Sequence, residues 1–391
     1  MTPLLIQAGT PVDASDASAS EPAAEDVLLA DGRIAARGRD AAAAGAGARR
    51  LRAEGLLVAP GFIDLQVNGA AGHDLTADPE SVWSIGTALA QYGVTAFLPT
   101  IVTSPAEVAD AACRVVAAGP PAGYRGAHVL GLHLEGPFLN PDRRGAHDPS
   151  HLRLPDAARA AAWSAAGGVR LVTLAPELPG APELVADLVG RGVVVSAGHS
   201  TASGEQATRG FDAGIRYVTH LFNGMSKEPH GTGLAAAALR DPRVTVGLIA
   251  DGIHVDAALL EAAWRAAGPD RFSAVTDAMA ALGMPAGRYP LAGAEVDVGE
   301  AGARLADGRL AGSVLSLDTA VRNLAAWMGT TPASAIGAVT HVPARLLGER
   351  DRGSLRPGAI ADVTLLTTRL EVVATIAAGR VIHDDGGDRW A

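Results

Sequence analysis

Cysteine and long apolar runs are both scarce in this chain of 391 residues. Cys113 is the only cysteine, so no intrachain disulfide can form and nothing indicates an oxidising compartment. The sequence has no run of about 18 or more apolar residues, so no membrane-spanning helix is predicted. Its first residues carry no basic segment and only a short apolar run, so we expect no signal peptide and a cytoplasmic protein.

Positive charge is also in short supply. The chain has 32 basic and 42 acidic residues, which gives a formal net charge of -10, and its single lysine is Lys227. This balance argues against a nucleic-acid surface. It remains compatible with a phosphorylated small substrate, because the charge of the pocket and not of the whole protein governs that contact.

The pattern of apolar runs predicts a barrel with a small second domain. Residues 1–57 contain short runs broken by turns, and DGRI at 31–34 is typical of a hairpin. After residue 58, eight buried runs alternate with helix-length segments, as a closed (β/α)8 TIM-like barrel requires. The runs lie near 61–67, 94–98, 129–135, 170–174, 193–197, 216–221, 244–249 and 272–276. We predict a barrel over 58–355 and a small β-sandwich domain built from 1–57 and 356–391.

Four of these runs end in a side chain that can bind a metal or move a proton: Glu135, His199, His220 and Asp277. The carboxyl ends of barrel strands meet at one mouth, so these groups should converge. Two imidazoles and a carboxylate are good ligands for zinc or iron and leave one position open. Asp277 would take a proton from water, although a fourth ligand or a helix N-cap are alternative roles.

Each of these residues also has a simpler interpretation. Glu135 could cap a helix or form a salt bridge, and either histidine alone could be a core residue with a satisfied polar partner. The occurrence of all four at strand ends favours a hydrolytic metal centre. His133 lies two residues before Glu135 and faces the same side of the strand, so it would fill the barrel beneath the site or take a direct part.

Eight segments occur in an order that resembles the N-acetylglucosamine-6-phosphate deacetylase family of the amidohydrolase superfamily. They read APGFIDLQVNG, LHLEGPFLN, GAHDP, VVSAGHS, VTHLFNGM, IADGIHVD, VTDAM and GRLAGS. The resemblance implies a deacetylase of N-acetylglucosamine 6-phosphate that acts as a homodimer. It also implies a divalent ion, zinc or else iron or another metal, on Glu135, His199 and His220, with Asp277 as the base and then the acid.

Gln66 and Asn68 indicate that the site holds one ion. Two-metal amidohydrolases end their first strand in His-x-His, whereas this chain has two neutral amides there, and amides are poor zinc ligands. Many of those enzymes also bridge their ions with a carboxylated lysine, and no lysine lies on a predicted strand.

The resemblance also supplies candidate substrate contacts. It places His147 near the acetyl carbonyl, where an imidazole N–H can stabilise the oxyanion, and His254 near the sugar or its phosphate. Each of these two histidines could instead be an ordinary surface or core residue. The remaining predicted contacts are Ala146, Asn223, Gly224, Asp251, Leu310, Ala311 and Gly312.

One loop departs from the family pattern. Family members carry an arginine there that grips the 6-phosphate, whereas NGMSKEPHGTG has none between Asn223 and Leu234. Lys227 and His230 are the cationic candidates, on a loop that could reach the neighbouring subunit. The alternative substrates are N-acetylgalactosamine 6-phosphate, an unphosphorylated N-acetyl sugar or an N-acyl amino acid. A catalytically silent scaffold is the alternative of a different class.

Overall fold

A parallel barrel forms the centre of the computed structural model, which describes residues 2–15, 23–226 and 232–390. Each barrel strand pairs in parallel with the next one along the chain. The predicted runs coincide with these strands, so the predicted (β/α)8 architecture is confirmed. The eight strands are Phe62–Val67, Val94–Val102, Leu132–Glu135, Val169–Leu174, Val194–Ala197, Tyr217–Val218, Thr245–Ile249 and Phe272–Val275.

The first and eighth strands close the barrel through backbone hydrogen bonds at their carboxyl ends. The amide of Asp277 donates to the carbonyl of Gln66 at 3.0 Å, and the amide of Asn68 donates to the carbonyl of Ala278 at 2.8 Å. Closure therefore places Gln66 and Asn68 next to Asp277, although some 210 residues separate them in the chain. A short extra strand, His128–Val129, pairs in parallel with Ala96 and Phe97 in the amino-terminal half of the second barrel strand.

The helices pack around the barrel through apolar faces. Gly204–Ala213 is an example: Ser203 and Gln206 form a capping box at its start, and Ala207 and Phe211 are buried on one face. The α-helices are Gly38–Ala44, Val82–Leu89, Ala106–Ala118, Ala181–Gly190, Gly204–Ala213, Leu234–Arg240, Ala257–Ala267, Leu317–Trp327, Pro332–Gly337 and His341–Leu346. Short 3₁₀ turns are Pro79–Ser81, Ala90–Tyr92, Pro141–Arg143 and Pro149–His151.

Both chain ends join one sheet-rich domain, as predicted. Leu57–Pro60 pairs in parallel with Leu4–Pro11 and antiparallel with Val363–Leu366, which ties the two ends together. Asp31 and Gly32 form the predicted hairpin turn, with φ of 50° and 75°. The other strands are Glu25–Ala30, Arg33–Arg37, Arg49–Arg52, Val372–Ala377 and Arg380–Asp384. The domain limits 1–57, 58–355 and 356–391 stay a prediction.

A three-stranded antiparallel sheet follows the eighth barrel strand and was not predicted. Its strands are Gly287–Leu291, Ala294–Gly299 and Gly302–Arg304. Leu291 and Val296 on this sheet pack with Met279 and Val102 from the barrel mouth, so the sheet covers one side of that mouth. Two short strands, Gly69–Ala70 and His73–Asp74, form a further hairpin.

In the described part of the chain, no helix combines the length and the apolar character needed to cross a lipid bilayer.

Candidate active site

Three side chains converge at the barrel mouth, and one nitrogen or oxygen atom of each lies within about 3 Å of the other two. Nε2 of His199 and Nε2 of His220 lie 3.1 and 3.0 Å from Oε1 of Glu135, and the two nitrogens are 3.1 Å apart. All three side chains are buried. Burial opposes ionisation of Glu135, yet the close contacts with the imidazoles of His199 and His220 hold its pKa well below the usual range. A negative charge therefore faces two imidazole nitrogens.

This donor set suits a divalent transition-metal ion. Catalytic zinc commonly takes imidazole and carboxylate ligands and keeps one position open. Ligand atoms about 2.1 Å from one ion in a tetrahedron lie roughly 3.4 Å from one another, so the three atoms need to separate only slightly. Within the described ranges, this is the one group of three His, Cys, Asp or Glu side chains close enough to hold an ion.

The backbone orients His199 for this role. Its Nδ1 lies 2.8 Å from the carbonyl oxygen of Arg143. A carbonyl can only accept, so Nδ1 carries the proton and Nε2 keeps its lone pair for a metal. Gly224 packs against the same ring with φ of +60°, and a Cβ there would lie 2.9 Å from Nδ1. The predicted Gly224 therefore packs against the ring of His199 and also lines the cavity.

Asp277 lies beside the cluster and binds a proton more readily than an exposed aspartate. Burial raises its pKa most, and the negative charge of Glu135 raises it further. Asn68 holds the carboxylate in place, because its Nδ2 donates to Oδ1 of Asp277 at 2.7 Å. A buried carboxylate with a raised pKa is a candidate for proton transfer.

The two amides on the first strand orient the two carboxylates. Gln66 donates from Nε2 to Oε1 of Glu135 at 3.3 Å, while Asn68 donates to Asp277. Both amide side chains are buried. They therefore serve as hydrogen-bond donors to the carboxylates, and the number of ions stays a prediction.

His199, His220 and Asp277 share a left-handed backbone, with φ of 49°, 30° and 51°. A residue with a Cβ adopts this region at a cost of order 1–3 kcal/mol, and such strain clusters at functional sites. Each of the three lies two residues beyond the end of a barrel strand. The turn after the strand, and not the strand itself, gives these side chains their direction.

His147 is anchored on the side away from the cluster. Its Nδ1 lies 2.8 Å from Oγ1 of Thr103 and 3.3 Å from the amide nitrogen of Thr103, while its Nε2 lies 3.8 Å from Oε2 of Glu135. Because a backbone N–H can only donate, that contact favours a proton on Nε2. Burial and the nearby His199 lower the pKa of His147 to about 3. His147 is therefore a neutral N–H donor at the mouth.

Sequence reasoning missed Thr103. It directly follows the second barrel strand, so the signal that identified Glu135, a polar side chain at the end of an apolar run, could have found it. Its hydroxyl also lies 3.0 Å from the carbonyl oxygen of Glu135.

His254 lines the mouth with support from Asp251. Nδ1 of His254 lies 2.7 Å from Oδ2 of Asp251, whose Oδ1 accepts the amides of Ile253 and His254 at 2.8 Å. Burial opposes the charge on Asp251, but the bond from His254 lowers its pKa overall. Asp251 is absent from the cavity wall, so its place is behind His254.

His133 lies below the site inside the barrel. Its Nε2 is 2.7 Å from Oγ1 of Thr173, and its Nδ1 is 3.3 Å from Oγ1 of Thr100. Burial lowers its pKa to about 4, so the ring is neutral. Of the two predicted roles, this position corresponds to a barrel-filling group.

The cluster opens into a cavity of about 290 Å³. Most predicted site residues line it, while Lys227 and His230 lie outside the described residues. The cavity wall also contains Arg309, which sequence reasoning missed although it directly precedes the predicted Leu310. The predicted residues that line the cavity are Asn68, Glu135, Ala146, His147, His199, His220, Asn223, Gly224, His254, Asp277, Leu310, Ala311 and Gly312.

Comparison with known proteins gives consistent relatives. The sequence profile of the Amidohydrolase family matches residues 57–382. The chain is 41% identical to N-acetylgalactosamine-6-phosphate deacetylase of Escherichia coli, over 81% of this chain and 85% of that one. It is 40% identical to N-acetylglucosamine-6-phosphate deacetylase of Homo sapiens, over 84% of each.

Solved structures agree with the sequence matches. One is a variant of N-acetyl-D-glucosamine-6-phosphate deacetylase from Mycobacterium smegmatis in complex with N-acetyl-D-glucosamine-6-phosphate. It is 34% identical, with a TM-score of 0.87, over 98% of this chain and 100% of that one. The deacetylase from Thermotoga maritima is 28% identical with the same TM-score of 0.87, over 97% of this chain and 100% of that one.

Proposed function

The chain belongs to the amidohydrolase family, and from that premise we propose that it hydrolyses N-acetyl-D-glucosamine 6-phosphate to D-glucosamine 6-phosphate and acetate. The observation that carries the proposal is the convergence of Glu135, His199 and His220 beside Asp277 at the mouth of the barrel. The relatives named for this reaction support the choice of substrate. N-acetylgalactosamine 6-phosphate is the second candidate, because a relative of similar identity is named for it.

Glu135, His199 and His220 would hold one divalent ion, and we propose zinc on the basis of the donor set. When bound, such an ion supplies a Lewis acid that polarises the amide carbonyl and makes water easier to deprotonate. Gln66 fixes one oxygen of Glu135, and the carbonyl of Arg143 fixes the ring of His199. The protein therefore presents the ligands already oriented.

Asp277 moves the proton. Its carboxylate takes one proton from the attacking water and returns it to the sugar nitrogen, which leaves as an amine because an amide anion is too basic to depart. The raised pKa helps the carboxylate to accept the proton, and the bond from Asn68 keeps it in place. The C–N bond breaks as the C–O bond forms, so the amide and one water give acetic acid and the sugar amine, which at neutral pH are acetate and the protonated amine of the sugar.

His147 stabilises the oxygen of the former carbonyl. A neutral imidazole whose Nε2 proton points into the cavity can donate a hydrogen bond that strengthens as negative charge develops. Thr103 holds the other ring nitrogen, so the donor is positioned before substrate binds. His254 and the segments around Asn223 and Leu310 would contact the sugar.

The metal count provides one test. Because Gln66 and Asn68 direct their N–H groups at carboxylates, we expect purified protein to retain about one tightly bound divalent ion per subunit after dialysis. Metal analysis by mass spectrometry measures this ratio directly. Two tight ions, with Gln66 or Asn68 among the ligands of the second, would contradict the one-ion site.

A substrate panel tests the reaction itself. We expect acetate release from N-acetylglucosamine 6-phosphate to exceed release from its unphosphorylated counterpart, with the galactosamine 6-phosphate analogue and an N-acyl amino acid assayed in parallel. Highest kcat/KM on the galactosamine compound would select the second candidate. No acetate from any of them in metal-loaded protein would indicate a silent scaffold.

We further propose a homodimer in the cytoplasm, in keeping with the family resemblance. Light scattering on purified protein measures the subunit number, and a monomeric mass would contradict the dimer.

A further inference from the structure

The substrate proposed above carries a phosphate group that the ligand cluster does not serve. A phosphate monoester has a charge near −2 at neutral pH, while the cavity already contains the carboxylates of Glu135 and Asp277. Its histidines already have acidic or hydroxyl neighbours: His199 and His220 contact Glu135, Nδ1 of His147 contacts Thr103, and Nδ1 of His254 contacts Asp251. A permanently charged side chain in the cavity wall would offset this negative charge.

Arg309 is the one arginine or lysine in the cavity wall among residues 2–15, 23–226 and 232–390. It ends a tight turn in which the amide of Leu305 donates to the carbonyl of Arg309 at 2.9 Å, and Gly308 donates back to Leu305 at 2.8 Å. Leu310, Ala311 and Gly312 follow directly and line the same cavity. The turn therefore delivers a permanent positive charge next to predicted substrate contacts.

Three hydrogen bonds fix the guanidinium of Arg309, and within the described part of the chain two of its N–H groups remain free to donate to a ligand. Its Nε and Nη2 donate to Oδ2 of Asp307 at 2.8 and 2.6 Å, and its Nη1 donates to the carbonyl of Gly145 across the cavity. A guanidinium has five N–H groups, so these three bonds leave one on each terminal nitrogen. Two adjacent N–H groups match the paired oxygens of a phosphate.

Arg144 adds a second positive charge close to Asp307, the carboxylate that pairs with Arg309. Asp307 is half exposed, with 53% of the side chain accessible. The bonds from Arg309 and the nearby charge of Arg144 lower the pKa of Asp307, so that carboxylate is ionised. Together, Arg309, Arg144 and Asp307 carry a net charge of about +1, in a protein whose total is -10.

We propose that Arg309 determines specificity for the phosphorylated substrate by binding the 6-phosphate through its two remaining N–H groups. The inference rests on the proposed function, because it concerns the same cavity and substrate. Arg309 would thus bind the 6-phosphate, a role that the sequence analysis gave to Lys227 or His230 on the loop after Asn223.

A purely structural role for Arg309 makes a different prediction. Through Gly145 the guanidinium also tethers the segment that carries His147. If tethering were its only task, Arg309→Ala would impair phosphorylated and unphosphorylated substrates to the same extent. A phosphate contact instead affects only the substrate that has the phosphate.

The experiment measures kcat and KM for N-acetylglucosamine 6-phosphate and for N-acetylglucosamine, in the metal-loaded wild type and in variants. For Arg309→Ala, we expect kcat/KM on the phosphorylated sugar to fall about 10- to 100-fold, mostly through KM. On the unphosphorylated sugar we expect a change of less than about 3-fold. Arg309→Lys should have a kcat/KM on the phosphorylated sugar between those of Arg309→Ala and the wild type, because an ammonium keeps the charge but cannot form a bidentate hydrogen bond.

Arg288→Ala is the matched control. Arg288 lies on the three-stranded sheet that precedes the turn of Arg309, but it is 71% exposed and pairs with Glu295, so both substrates should keep their wild-type constants. Equal losses on both sugars in Arg309→Ala, or no loss on either, would overturn the inference. A wild type that releases no acetate from either sugar would instead refute the proposed function, so the two failures are distinguishable.

Discussion

Glu135→Gln should abolish tight metal binding and lower kcat/KM by at least about 1,000-fold, which corresponds to more than about 4 kcal/mol. The substitution keeps the size of the side chain but removes the charge that faces both imidazoles at 3.0 and 3.1 Å. A neutral amide is a poor ligand for zinc, so two histidines alone should not retain the ion. Metal content after dialysis and acetate release measure the two effects.

Glu205→Gln is a suitable control for this variant. Glu205 lies on a helix surface with 84% of its side chain exposed, so its loss should leave metal content and activity unchanged. Circular dichroism and a melting curve would show that Glu135→Gln still folds. A folded Glu135→Gln protein with one tight ion and near-normal turnover would show that the ligand set is wrong.

The barrel was predictable because its strands are buried on both faces. Continuous apolar runs such as 94–98 and 272–276 stand out from the amphipathic helices between them, and eight such runs admit few other arrangements. The convergence of the polar side chains at the barrel mouth was predictable for a related reason. Strand ends in a parallel barrel share one mouth, so Glu135, His199, His220 and Asp277 could be placed together without any knowledge of their distances.

The remaining parts of the site depend on contacts that periodicity does not encode. Arg309 reaches the cavity through a hairpin turn that follows a three-stranded sheet, and its direction is set by Asp307 and Gly145. Asp251 contacts His254 at 2.7 Å, a pairing that the sequence does not reveal, and its predicted contact with substrate stays a prediction. The sequence states which residue types are present in a loop, but the folded partners decide which of them face the cavity.

The left-handed turns after the strands illustrate the same limit. Neither His199 nor Asp277 has a neighbouring sequence that reveals a φ near 50°. The conformation is stabilised by its surroundings: the amide of Asp277 bonds to Gln66, and the carbonyl of Asp277 accepts the amide of Ser313 at 2.8 Å. Strain of this kind persists only when many contacts outside the turn fix the chain.

Asp277→Asn should lower turnover by roughly 100-fold or more, about 2.7 kcal/mol, while the metal stays bound. The change preserves the volume of the side chain. It also keeps an oxygen that can accept the hydrogen bond from Asn68, whose Nδ2 lies 2.7 Å from Oδ1 of Asp277 in the wild type. It removes the group that accepts a proton, whereas Glu135, His199 and His220 are untouched. The loss should therefore appear in kcat and not in metal content.

Asp212→Asn provides the control, because Asp212 is 61% exposed and pairs with Arg243 on the surface. Single-turnover measurements on the metal-loaded proteins would separate slow chemistry from slow product release. If Asp277→Asn kept its ion and also turned over at close to the wild-type rate, another group would have to move the proton. The raised pKa of Asp277 would then reflect only burial beside Glu135, and its bond from Asn68 would serve closure of the barrel between the first and eighth strands.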